Sequence, residues 1–212
     1  MVYESLIFDI DGTLWDSRAL VAEGYNLQLK DEGMERYCVD AARLRPLFGK
    51  VMTAIADEIF PDLPPEARYP LMERCMEREN RHLEENECRI GYPAVQDTLE
   101  RLAQSHRLFI VSNSQQGYPE LCIRKLGLGC ICGHLCFGDT GTTKGKTIRT
   151  LMQRYSITSC AYIGDTQGDY EATLEAGVPF IWAAYGFDTP RGYDLRIDNP
   201  RQLIELEQEG RL

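Results

Sequence analysis

The sequence predicts an α/β protein: a Rossmann-like parallel sheet in a three-layer α/β/α core, with an all-helical domain inserted after the first strand. Three observations predict it. Leu6-Ile7-Phe8 is a short apolar run that stops at Asp9-Ile10-Asp11-Gly12-Thr13, the pattern of a buried strand bounded by a turn. No convincing strand follows between residues 16 and 90. From Gly91-Tyr92-Pro93 onward, apolar runs alternate with helical patterns, as in a parallel sheet with helices on both faces. Residues 1–15 and 91–212 are therefore expected to form the α/β core, and residues 16–90 the helical insertion.

Within the insertion, helices are expected over Ser17 to Glu32, Cys38 to Phe48, Met52 to Phe60 and roughly Pro65 to Glu87. The last follows Pro61-Asp62-Leu63-Pro64-Pro65, an entry with proline at the first turn. Its Tyr69, Met72, Met76 and Leu83 make a narrow apolar stripe, read as core, while Glu73, Glu77, Arg78, Arg81, Glu84 and Glu85 face water.

In the core, a helix from Ala94 to Gln104 leads into the strand Leu108 to Val111. A helix from Pro119 to Leu126, a short strand near Leu135 to Phe137 and a helix from Thr147 to Tyr155 come next. The strand Cys160 to Ile163, a helix around Tyr170 to Ala176 and the strand Pro179 to Ala183 follow. A strand near Leu195 to Ile197 and a helix from Pro200 to Glu209 close the chain.

Composition narrows the function. At 212 residues, 43% hydrophobic and 26% charged, the chain has enough material for one substantial core and a smaller domain. A net charge of −10 argues against non-specific nucleic-acid binding, which needs clustered Lys and Arg. No apolar run has the length of a membrane span, and the N-terminus lacks the form of a signal peptide. A soluble, cytoplasmic protein is expected. The eight cysteines are then read as reduced thiols, and zinc is disfavoured because no Cys-x-x-Cys pair occurs.

In open parallel sheets ligands bind beyond the carboxyl ends of the strands. The polar residues without an evident packing role fall there. The first strand ends in Asp9 and Asp11, the second in Ser112, and the fourth in Gly164-Asp165-Thr166-Gln167-Gly168-Asp169; Thr142-Thr143-Lys144-Gly145-Lys146 precedes a helix. Two carboxylates one residue apart at a strand end suggest a cation site with a carboxylate nucleophile.

FDIDGTL, VSNS, a lysine before a helix and IGDTQGD occur in the order that resembles the haloacid dehalogenase-like hydrolase superfamily, over essentially the whole chain. The helical insertion directly after the first motif, the segment Ile181 to Phe187 with its Tyr-Gly-Phe, and the Asp194-to-Leu203 tail resemble the phosphoglycolate phosphatase and β-phosphoglucomutase branch, in which the insertion is a helical cap.

The resemblance implies Asp9 as nucleophile, forming an aspartyl-phosphate, and Asp11 as the acid that protonates the leaving oxygen and then activates water. A raised pKa is expected for Asp11 from neighbouring carboxylates. Asp9, Asp165 and Asp169 cannot share a pocket with a dianionic phosphate without a cation. Mg²⁺ is expected, bound by Asp9, Asp165 and the Asp11 backbone carbonyl, with Asp169 a ligand directly, through water or one shell out. An N-cap role for Asp165 is compatible with this.

Ser112 and the Asn113 N–H are expected to hold phosphate oxygens, and Gly12 to let the backbone approach closely. A lysine at a helix N-terminus opposes the macrodipole, so neutralising Asp9 and phosphate is the reason expected for it; Lys144, read as a loop residue, is preferred to Lys146. Asp16 and Trp15, at the crossing into the cap, read as hinge or packing residues, with Asp16, Arg45 and Lys50 as candidate substrate-specificity residues. His82, His106 and His134 read as surface or packing residues.

The expected activity is hydrolysis of a small phosphomonoester: phosphoglycolate, a sugar phosphate or a nucleotide. A β-phosphoglucomutase-type mutase is the alternative, disfavoured because Lys50-Val51-Met52-Thr53-Ala54 stands where that type carries Arg-x-x-Ser-Leu. A dehalogenase would not need Asp11 and the metal carboxylates, a phosphonatase would need a cap lysine such as Lys50, and a silent binding protein would be expected to lack Asp9, Asp11 or Asp165. The oligomeric state is left open.

Overall fold

A computed structural model describes residues 3–212. The described residues separate into two compact units, one of residues 3–16 with 91–212 and one of residues 17–90.

The first unit is a six-stranded sheet in the order β3-β2-β1-β4-β5-β6. Its strands are β1 (Ser5–Phe8), β2 (Arg107–Ser112), β3 (Ile131–Cys136), β4 (Cys160–Gly164), β5 (Phe180–Ala183) and β6 (Leu195–Ile197). Every pairing is parallel. The order reverses between β1 and β4, where a doubly wound sheet opens its crevice. Phe8 stands level with Ile110 on one side and Ile163 on the other, so Asp9 leaves the sheet flanked by the ends of β2 and β4. β1 is buried at all four positions, because a central parallel strand is covered on both faces.

Helices α5 (Val95–Leu102), α6 (Tyr118–Leu126), α7 (Phe137–Thr140), α8 (Lys144–Arg154), α9 (Gln167–Ala176) and α10 (Gln202–Gln208) belong to this unit. One core cluster joins Ile7, Phe109, Val111, Leu135, Ile148, Leu151, Tyr162 and Phe180, drawn from five strands and α8.

The third strand starts at Ile131, earlier than the apolar run suggested, and Phe137 opens α7 instead of ending the strand. β3 is an edge strand, only partly buried at its start, and Gly133 and His134 interrupt its apolar run. Helices α8 and α9 also start about one turn earlier than expected. The glycines in their first turns, Gly145 and Gly168, obscure the starts. Gly145 is there for contact: a Cβ would lie 2.8 Å from the Ala172 carbonyl of α9.

The second unit contains α1 (Arg18–Asp31), a 3-10 turn (Glu35–Tyr37), α2 (Ala41–Leu44), α3 (Met52–Ile59) and α4 (Pro65–Glu85). The helix expected over residues 38–48 shrinks to α2. Asp40 caps its start by accepting from the Arg43 N–H at 2.7 Å, and Pro46, without an N–H, ends it. On α4 the buried face is Leu71, Met72, Cys75, Glu79 and Leu83, rotated from the predicted stripe; Tyr69 and Met76 are half-buried. α1 packs against α4, and Gly24 of α1 lets it approach so closely that a Cβ there would lie 2.8 Å from the Glu79 Cα.

No helix among the described residues is long and apolar enough to cross a membrane. All eight cysteines are free thiols.

Phe109, fully buried in the core cluster, sets the scale of packing energy. Phe109→Ala is expected to cost about 3–5 kcal/mol, measured by urea denaturation; a loss under about 1 kcal/mol would contradict this placement.

Candidate active site

Four charged side chains meet where the sheet order reverses. Asp9 follows β1, Asp165 follows β4, Asp169 lies in the first turn of α9, and Lys144 is the first residue of α8. All are buried, at 3%, 0%, 0% and 5% exposure. Lys144 Nζ bridges two of them, donating to Asp9 Oδ1 at 2.9 Å and to Asp169 Oδ1 at 2.6 Å. Lys144 therefore lies inside the helix and not in the loop, with Thr143 as its cap. Lys146 is exposed.

Asp169 is saturated with donors. Its Oδ1 also receives the Tyr162 hydroxyl at 3.3 Å, and its Oδ2 accepts from the Thr166 N–H (3.0 Å), the Thr166 hydroxyl (2.7 Å) and the Asp165 N–H (3.2 Å). The N-cap of α9 is Thr166 and not Asp165: the Thr166 hydroxyl accepts from the Asp169 N–H at 3.1 Å, completing a capping box.

Asp165 is held differently. Its Oδ2 accepts from the Phe187 N–H at 2.7 Å, while its Oδ1 is buried with no hydrogen-bond partner among the described residues. Gly186 packs directly on it, and Gly12, at φ +80°, approaches so closely that a Cβ would overlap the carboxylate. Tyr185 anchors this segment by donating to the Thr13 carbonyl at 2.9 Å. The Tyr-Gly-Phe segment thus locks the β5 loop onto the turn after β1.

The electrostatics follow from burial. It pushes the Asp9 carboxyl up to about 7, against the pull of Lys144. Burial, then the charges of Asp169 and Asp9, holds Asp165 well above the usual carboxylate range. Burial works to raise Asp169 too, but Lys144 and the Thr166 donors outweigh it and hold the carboxyl below its ordinary value. Lys144 is raised: burial opposes its charge, and the two carboxylates overcome that.

One ligand atom each from Asp9, Asp165 and Asp169 lies within 4.8 Å of the others, the spacing of a metal site. The orphaned Asp165 Oδ1 is the detail that fits a cation. A buried carboxylate oxygen without a donor is costly, and a hard cation would satisfy it.

The remaining predicted residues divide. Ser112 ends β2 and is buried, its hydroxyl accepting from the Ser114 N–H at 3.2 Å, and Asn113 follows it. Asp11 is half-buried, and its Oδ1 accepts from Trp15 Nε1 and the Tyr118 hydroxyl. Asp16 is half-buried in the first unit. Arg45 and Lys50 lie exposed in the second, Lys50 paired with Glu58 at 3.5 Å. His106 is a packing residue, its Nδ1 2.7 Å from the Tyr3 carbonyl. Tyr162, Thr166 and Tyr118 had no signal as site residues, each reading in sequence as core or helix entry, and Trp15 reads there as a hinge or packing residue at the crossing into the cap.

The model of the haloacid dehalogenase-like hydrolases matches residues 6–183. The chain belongs to that family. A phosphoglycolate phosphatase of Xanthomonas campestris is 30% identical over 95% of both chains, and one of Aquifex aeolicus is 26% identical over the same shares. Among solved structures, a haloacid dehalogenase-like hydrolase of Streptococcus pneumoniae superposes with a TM-score of 0.81 at 19% identity, over 97% of this chain and 99% of that one. This hydrolase stands in the phosphoglycolate-phosphatase-like branch and is a phosphoric monoester hydrolase.

Both Asp9 and Asp165 bind a proton more tightly folded than unfolded. Without a cation, stability is therefore expected to fall as pH rises from the ordinary value of 3.8 through about 7. Asp169 has the opposite sign, but its stabilisation is lost only below its ordinary value, outside that window. The melting temperature of EDTA-treated protein should drop between about pH 5 and about pH 7.5, and a divalent cation should restore more at the higher pH. A rise over that interval would contradict this account.

Proposed function

We propose that this hydrolase is a Mg²⁺-dependent phosphatase that cleaves a small phosphomonoester through an aspartyl-phosphate on Asp9. The observation that carries the reading is the Lys144 bridge beside the donor-free Asp165 oxygen. It leaves a buried carboxylate next to a place for a cation, at the strand ends where a phosphoryl group would enter.

Asp9 attacks phosphorus in line with the leaving oxygen. Lys144 favours the ionised form of Asp9 against the cost of burial and adds a positive charge for a phosphoryl oxygen. The Ser112 hydroxyl and the Asn113 N–H, at the end of β2, hold two more oxygens. Gly12, without a side chain, lets the backbone of the first turn come close to the phosphate. Asp11 gives its proton to the leaving oxygen, then takes one from the water that cleaves the acyl phosphate.

Asp9, Asp165 and the Asp11 carbonyl would hold Mg²⁺, which supplies charge neutralisation for the phosphoryl oxygens. Asp169, with both oxygens engaged by protein donors, fixes Lys144 and the β4 loop from outside that set. The second unit acts as the cap that excludes water and selects the alcohol, with Asp16, Arg45 and Lys50 as candidates for that selection. Phosphoglycolate is the favoured substrate, because relatives of that name align over 95% of the chain.

Hydrolysis of p-nitrophenyl phosphate should require Mg²⁺, stop with EDTA, and fall by roughly 10³-fold or more in Asp9→Asn. Activity in EDTA, or in Asp9→Asn, would sink the reading. Lys144→Ala should also abolish turnover while Lys146→Ala retains it; the reverse would displace Lys144 from its role.

A further inference from the structure

Asp11 is gripped from two sides. Its Oδ1 accepts from the Trp15 indole Nε1 at 2.8 Å and from the Tyr118 hydroxyl at 2.9 Å. Trp15 is fully buried and Tyr118 is 2% exposed. Their rings meet edge to face, 5.4 Å apart at 79°. Both donors sit on backbone that is itself fixed. Trp15 closes the turn after β1, its carbonyl accepting from the Gly12 N–H at 2.9 Å and its N–H donating to Ile10 at 3.3 Å. Tyr118 opens α6 directly after Gly117, whose φ of +84° turns the chain out of the loop that follows Ser112.

We propose that Trp15 and Tyr118 are positioning residues that orient Asp11 as the proton donor to the leaving group, an inference that rests on the phosphatase reading of Asp11 above. A carboxyl oxygen has two lone-pair sites, and on Oδ1 both face these donors. The proton of the acid form therefore belongs on Oδ2, and the carboxyl plane cannot turn without breaking both bonds.

The steps balance. As an Asp9 oxygen bonds to phosphorus, the phosphorus–ester oxygen bond breaks, and that oxygen takes the Oδ2 proton to leave as the alcohol. In the return step water gives a proton to Oδ2 while its oxygen bonds to phosphorus and the Asp9–phosphorus bond breaks. Two neutral donors suit this use, since they fix direction without placing a competing charge beside the proton in flight. The tyrosine also ties the acid to the Ser112 loop, so the groups expected to hold phosphate and the group expected to release alcohol share one frame.

The leaving group tests the proposal. An alkyl ester needs a proton on its departing oxygen; p-nitrophenolate departs without one. Tyr118→Phe removes only the hydroxyl and keeps the ring against Trp15, and Trp15→Phe is the second variant. With Mg²⁺ present, each should lower kcat/KM for the alkyl esters phosphoglycolate and glycerol 2-phosphate by about ten- to a hundredfold. The loss on p-nitrophenyl phosphate should be about tenfold smaller, with the circular-dichroism melt confirming the fold. Equal losses on both ester types, or wild-type rates on both, would overturn the positioning role while leaving the phosphatase reading intact. A wild-type protein inert towards all three esters would overturn the phosphatase reading itself, and this inference with it.

Discussion

One lysine makes the rest of this site possible. Three carboxylates buried within 4.8 Å of one another repel strongly where water cannot screen them, and Lys144 is the cation that the fold itself supplies. Its placement constrains much of the surrounding structure. α8 must begin at Lys144, with Thr143 as its cap, so that a positive charge sits at the unfavourable end of a helix dipole. Asp169 must spend both oxygens on Lys144, Tyr162, Thr166 and the Asp165 N–H, and α9 must start with a capping box to present it.

Even so, the compensation is incomplete. Asp9 remains pushed up to about 7, and Asp165 keeps a buried oxygen without a donor. A fold that leaves this residue of negative charge, in a pocket closed on one side by Gly12 and Gly186, is poised for a cation and an anionic group arriving together. That is the physical content of the phosphatase proposal. On that proposal, stability is given up at Asp9 and Asp165 so that both are charged, dry and fixed once a cation and substrate bind.

The parts of the fold that were legible in sequence are those with continuous burial or strong punctuation. β1, β2, β4 and β5 are apolar because both faces are covered, and Pro65 marked the start of α4. The first half of the edge strand β3 and the early starts of α8 and α9 were not legible. Gly133 and His134 interrupt the apolar run of β3, and Gly145, there for close contact with α9, and Gly168 disguise the helix starts. In the site, Asp9, Asp165, Asp169 and Lys144 stood out as charges at strand and helix ends, where a charge needs a reason. Tyr162 and Tyr118 did not, because a buried aromatic with one polar atom reads as core until the partner of that atom is seen, and Trp15 stood out only for its place at the crossing. The Phe187 N–H that holds Asp165 is backbone, and backbone donors leave no mark on a sequence.

The central claim is that the carboxylate bridged by Lys144 becomes covalently phosphorylated. Acid quenching during turnover of ³²P-labelled phosphomonoester with Mg²⁺, followed by peptide mapping, tests it most directly. The account predicts hydroxylamine-labile label on the peptide containing Asp9, lost in Asp9→Asn. Turnover with no labelled protein at any quench time, or label on another residue, would contradict it.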